Sequence, residues 1–169
     1  MVARLKGNKD ITPYSEYLLV RELFNEPSVR FGHKEYHFLS VSGIVKILDK
    51  LSIKSKYYGI KSGEEEVAYQ NIINALKQDK MVIYCAHPQG GKANIFSKGD
   101  HYVVFIGLED DKVITLNSST NGVYDKALGI QFATKSDILG SMFIDSNPID
   151  LNWGVLPDLS IVAGYVIVE

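Results

Sequence analysis

Two side chains in this 169-residue chain are of types and spacing that could do chemistry together: His101, at the mouth of the apolar run 102–108, and Asn117, at the end of the run 113–116. Glu109-Asp110-Asp111 separates the runs as a short polar turn, so the two segments predict an antiparallel hairpin. In such a hairpin the start of the first strand lies across from the end of the second, which makes neighbours of two residues sixteen positions apart. An imidazole beside a side-chain amide is the base and the orienting group of a nucleophilic acyl-transfer triad. The plainer readings of the same residues are a polar residue at a strand start and an asparagine serving turn chemistry. The third member, the nucleophile, decides what the pair can do.

Cys85 is the only cysteine, which excludes an internal disulfide and an all-cysteine metal site. It ends an apolar run and is followed by Ala86-His87-Pro88, with no helix N-terminus to acidify its thiol, so it reads as a buried structural cysteine and not as a nucleophile. Cys85, His87 and His101 do not make a complete zinc ligand group at a recognised spacing, nor do His33 and His37. No metal and no cofactor is expected. Gly90-Gly91-Lys92 lacks the upstream glycine and downstream hydroxyl of a phosphate-binding loop and reads as a loop overhanging the His101 cleft. The segment 147–157, with the sole tryptophan Trp153, either covers a cleft or packs.

The elements that must position these groups follow from periodicity. Thr12-Pro13 opens a helix over 12–25, a second runs from Ser40 or Ser42 to Leu51, and a third starts at Glu64-Glu65-Glu66 and reaches 77; residues 26–38 show no period and read as loop. From Lys80 onward the pattern changes to short β-rich runs at 81–84, 102–108, 113–116, 129–132, 141–144 and 162–168. The expectation is one α+β domain over 1–169, with a helical part over 1–79 packed on a mainly antiparallel sheet over 80–169. At 46% hydrophobic and 11% aromatic residues the chain can bury a core of that size. The net charge of −2 gives no electrostatic case for nucleic acid or an anionic membrane surface. No apolar run approaches the roughly 18 residues of a membrane span, and the N-terminus has no apolar signal core.

The run 81–84, the glycine-bearing loop, Asp100-His101-Tyr102-Val103-Val104-Phe105-Ile106-Gly107-Leu108 and then 113–117 together resemble the papain-like cysteine peptidases related to bacteriocin-processing, double-glycine leader peptidases. The helix 42–51, the strand-like 53–59 and the helix 64–77 are similar to that family's middle section, so the resemblance covers residues 1–145. It implies a papain-like fold, hydrolysis of a peptide or protein substrate by a thiol protease, and a place at the cell surface or outside it. His101 then takes the base position. The orienting position falls on Asn117 or Ser118, because the hairpin turn is a residue shorter than in some relatives. The family's Cys-Gly nucleophile would align upstream of Met1, so this chain is expected to begin inside the catalytic helix and to be inactive, either truncated or a natural pseudo-enzyme. The alternative from another class is a non-catalytic module that holds a peptide or protein in the groove beside His101.

Overall fold

The computed structural model describes residues 29–31, 34–36, 41–87, 94–96, 101–117, 130–144 and 164–169. Their elements run in the order β1 (Val29–Phe31), β2 (Lys34–Tyr36), α1 (Val41–Lys50), β3 (Ser55–Tyr58), α2 (Glu65–Leu76), β4 (Met81–Ala86), β5 (His101–Glu109), β6 (Lys112–Leu116), β7 (Ile130–Ala133), α3 (Lys135–Leu139) and β8 (Tyr165–Val168). Strands β3 to β8 form one antiparallel sheet of six strands in the order β3-β8-β4-β5-β6-β7. The architecture is α+β.

Both faces of the sheet are covered, which is why its central strands β4 and β8 read as unbroken apolar runs with no polar alternation. On one face α1 seats Ile44 and Leu48 against Ile83, Val104, Val166 and Val168. On the other, α2 seats Ile72 and Leu76, and α3 seats Ile138, against Val82, Tyr84, Phe105 and Tyr165. Glu65 and Glu66 lie in the first turn of α2, where the helix dipole favours negative charge. Glu66 also bonds Lys135 of α3 at 2.7 Å, and that bond holds its carboxyl below the usual range.

An aromatic stack fills the second face. Tyr84 lies 4.9 Å from Phe105 and 6.0 Å from Phe96, centroid to centroid, and all three side chains are fully buried. Burial pushes the Tyr84 phenol well above its ordinary value and keeps the hydroxyl protonated. That hydroxyl donates to the Ile138 carbonyl at 2.8 Å and lies 3.0 Å from Ser141 Oγ, which clasps the end of α3 to the sheet. Tyr84→Phe is expected to cost about 1–2 kcal/mol. A denaturant midpoint that falls at unchanged slope checks it; an unchanged midpoint would mean that the hydroxyl is not a clasp.

The structure corrects the sequence expectation at four places. The predicted loop 26–38 contains the antiparallel ladder β1–β2, too short to show a period. The part over 1–79 also supplies a strand to the sheet, since β3, within the strand-like 53–59, pairs with β8 at the sheet edge. The predicted strand 141–144 reduces to a single bridge, Met142 to Ala86. The bridge lies two residues along β4 from the pair of Tyr84 with Tyr165, and the Ser141 carbonyl accepts from the His87 N–H at 2.8 Å beside it. Helix α3 went unpredicted, although Thr134 and Asp137 carry a capping box: Thr134 Oγ1 accepts from the Asp137 N–H at 3.3 Å and Asp137 Oδ2 from the Thr134 N–H at 2.8 Å. The expected helix over 12–25, the Gly90-Gly91-Lys92 loop, the segment 147–157, Ser118, His33 and His37 lie outside the described residues.

Candidate active site

The hairpin that carries His101 and Asn117 turns tightly, with Glu109 paired to Lys112 and Asp110 in the left-handed region at φ 52°. Aspartate tolerates that conformation because its short polar side chain bonds locally. The pairing then runs Leu108 to Val113 and Gly107 to Ile114, shifts by one residue at Ile106, and resumes as Phe105 to Thr115 and Val104 to Leu116. One further step sets Asn117 against Val103, on the face that His101 shares. A regular ladder from the same turn would set Asn117 against Val104 and aim it at the opposite face. The bulge therefore decides that the two side chains can meet. Val103, Phe105 and Leu108 all pack into the core of α2 and α3, a spacing that changes from two to three where the bulge falls.

They do meet. His101 Nε2 lies 2.9 Å from Asn117 Oδ1, with His101 partly buried and Asn117 only 3% exposed. The Asn117 amide is held from its other end, where Nδ2 donates to the Phe96 carbonyl at 2.9 Å and to Gln131 Oε1 at 3.2 Å. Both of those partners accept, so the amide oxygen is the atom turned to the ring. A carbonyl oxygen cannot donate, so the hydrogen of this bond belongs to Nε2. In the neutral ring the lone pair then resides on Nδ1, for which the described residues provide no hydrogen-bond partner.

The segment 94–96 closes the inner side of the pair. Phe96 plugs into the aromatic stack, and its N–H donates to Asn94 Oδ1 at 2.8 Å in a local turn that presents the Ile95 and Phe96 carbonyls side by side. Gln131, on β7 opposite Thr115, donates from Nε2 to the Ile95 carbonyl at 2.6 Å. Sequence reasoning passed over Gln131 entirely. The one available signal was a long amide side chain on a short strand otherwise apolar, Ile130-Gln131-Phe132-Ala133.

Cys85 is brought close in the ladder but to the wrong side. It pairs with Tyr102 and shares the face of Ile83 and α1, whereas His101 pairs with Ala86 and shares the face of Tyr84 and α2. Its thiol is 1% exposed. A strand two residues wide in period cannot turn it toward His101 without slipping the whole register. His87 packs its ring edge-on against Phe143 at 4.4 Å. Among the described residues no group of three or more His, Cys, Asp or Glu side chains is placed to hold a metal ion, and no helix is long and apolar enough to cross a membrane.

Compared with protein-family models, curated proteins and solved structures, the chain matches none of them. What the fold and the site define is an α+β domain with a histidine and an asparagine locked together at one end of its sheet.

Proposed function

We propose that the end of the sheet at His101 is the base side of a papain-like acyl-transfer site, of the kind that cleaves peptide bonds with a cysteine thiol. The observation that carries this reading is the 2.9 Å bond from His101 Nε2 to an asparagine oxygen whose amide is held by two further acceptors. It leaves the lone pair on Nδ1 as the base. In the reaction Nδ1 accepts the thiol proton, the sulfur attacks the peptide carbonyl, and the proton passes to the departing amine; water then hydrolyses the thioester with His101 again as base. Asn117 Oδ1 accepts from Nε2–H in the neutral ring and in the imidazolium alike, which holds the ring's orientation throughout.

Cys85 is not that thiol, so the 169 residues hold this base without a cysteine to serve it. This same observation favours the second reading, a non-catalytic module that binds a peptide or protein beside His101. Labelling with a peptidyl electrophile separates the two. In the 169-residue chain Cys85 is expected to react slowly when native, at full rate in urea, and identically in His101→Ala. In the chain carrying any in-frame residues encoded before Met1, the peptidase reading expects a cysteine that reacts fast and is slowed about 10²-fold or more by His101→Ala. No such cysteine, or labelling indifferent to His101→Ala, removes the peptidase reading and leaves the binding module.

A further inference from the structure

We infer that Gln131 is a positioning residue of this site, which acts through Asn117 to set which nitrogen of the His101 ring carries the proton. The inference rests on the reading of His101 as a base only for its consequence in catalysis; the geometry stands without it.

The chain of reasoning starts at a group that cannot change its polarity. The Ile95 carbonyl can only accept, so the end of Gln131 that reaches it at 2.6 Å must be Nε2. The other end of the same amide, Oε1, is thereby aimed at Asn117, whose Nδ2 donates to it at 3.2 Å. That donation, with the one to the Phe96 carbonyl at 2.9 Å, turns Asn117 Oδ1 to the ring, and Oδ1 requires the proton on Nε2. Two amides in series thus carry the polarity of a backbone carbonyl to an imidazole. Either amide alone could flip with little change of shape, since its oxygen and nitrogen are nearly equal in size. In series they hold each other, and burial keeps water from substituting for a lost partner: Gln131 is 4% exposed and Asn117 3%.

The arrangement also explains why a long amide stands on β7. Gln131 sits opposite Thr115, diagonal to Asn117 across the β6–β7 ladder, and a shorter asparagine there would not span from Asn117 to the 94–96 segment. Ile95 and Phe96 come from a segment remote in sequence, so the polarity of the site depends on how three separate stretches of chain dock.

Nitrogen-resolved NMR of the His101 ring in the neutral form tests this on the full chain. Wild type is expected to show a protonated Nε2 and a bare Nδ1; the opposite tautomer in wild type overturns the proposal whatever the variants do. Gln131→Met keeps the volume and removes both amide bonds, and it is expected to raise the flipped population of Asn117 about fivefold, read as convergence of the two ring-nitrogen resonances. Gln131→Glu, neutral in so buried a place, can donate its carboxyl proton to the Ile95 carbonyl and keep its other oxygen as acceptor toward Asn117 Nδ2, and it is expected to restore the wild-type ring signals. A folded Gln131→Met with wild-type ring signals, or a Gln131→Glu that shifts them as the methionine does, overturns it. The test needs no thiol and no substrate. Failure of the labelling experiment therefore removes the acyl-transfer reading alone, and unmoved ring signals remove this inference alone.

Discussion

Gly164→Ala is expected to destabilise the protein by about 3–5 kcal/mol, from left-handed strain and overlap together. Gly164 enters β8 at φ 113°, a conformation that side-chain-bearing residues rarely adopt. A Cβ there would overlap the backbone oxygen of Tyr58 and come within 3.1 Å of both the Gly59 Cα and Tyr57 Cε2. Backbone cannot swing aside as a side chain does. The Gly164 carbonyl also accepts from the Cys85 N–H at 3.3 Å, so moving it loosens β4 as well as β3. For a domain held by about 5–15 kcal/mol in total this is a large fraction. Urea unfolding followed by circular dichroism checks it, and a loss under about 1 kcal/mol would mean that the β3–β8 junction is not as tight as described.

Asn117→Asp is expected to cost about 3 kcal/mol or more, although it changes no volume. The substitution is isosteric, so cavity formation contributes nothing and polarity accounts for the whole effect. An aspartate keeps an acceptor for His101 Nε2. It replaces the two-donor nitrogen by an oxygen that faces the Phe96 carbonyl and Gln131 Oε1, two acceptors, in a place 3% exposed to water. Gln131 could flip to donate to the new carboxylate only by abandoning the Ile95 carbonyl. The surroundings are built for an amide and not for a carboxylate. Matched denaturation of wild type and variant measures the loss. Equal stability would show that the Nδ2 bonds do not hold the amide, and with them the case for a set tautomer would fall.

The hairpin is legible in the sequence alone, because its signals are local: two apolar runs, an acidic turn between them, and polar residues at the far ends. The acidic start of α2 and the change at Lys80 were legible for the same reason. Helix α3 is only five residues long, and its evidence was a capping box, not a periodic face. The ladder β1–β2 pairs three residues with three, below the length at which alternation can be recognised. Met142 pairs with Ala86 in a single bridge, a relation between stretches 56 residues apart that leaves no periodic trace.

His101 and Asn117 are determined by the sequence itself, as is their arrival at one end of one hairpin. Whether they would share a face was not, since strand side chains alternate and a single residue of slippage reverses them. The bulge at Ile106 absorbs that residue, and nothing in the local composition announces it. The same alternation put Cys85 on the far face, through the β4–β5 register. The choice of which Asn117 atom meets the ring depends on Gln131 and on the carbonyls of Ile95 and Phe96, contributed by stretches far apart in the chain. Residue types are local, but register and hydrogen-bond polarity are relations between segments, and only the folded sheet brings those segments together.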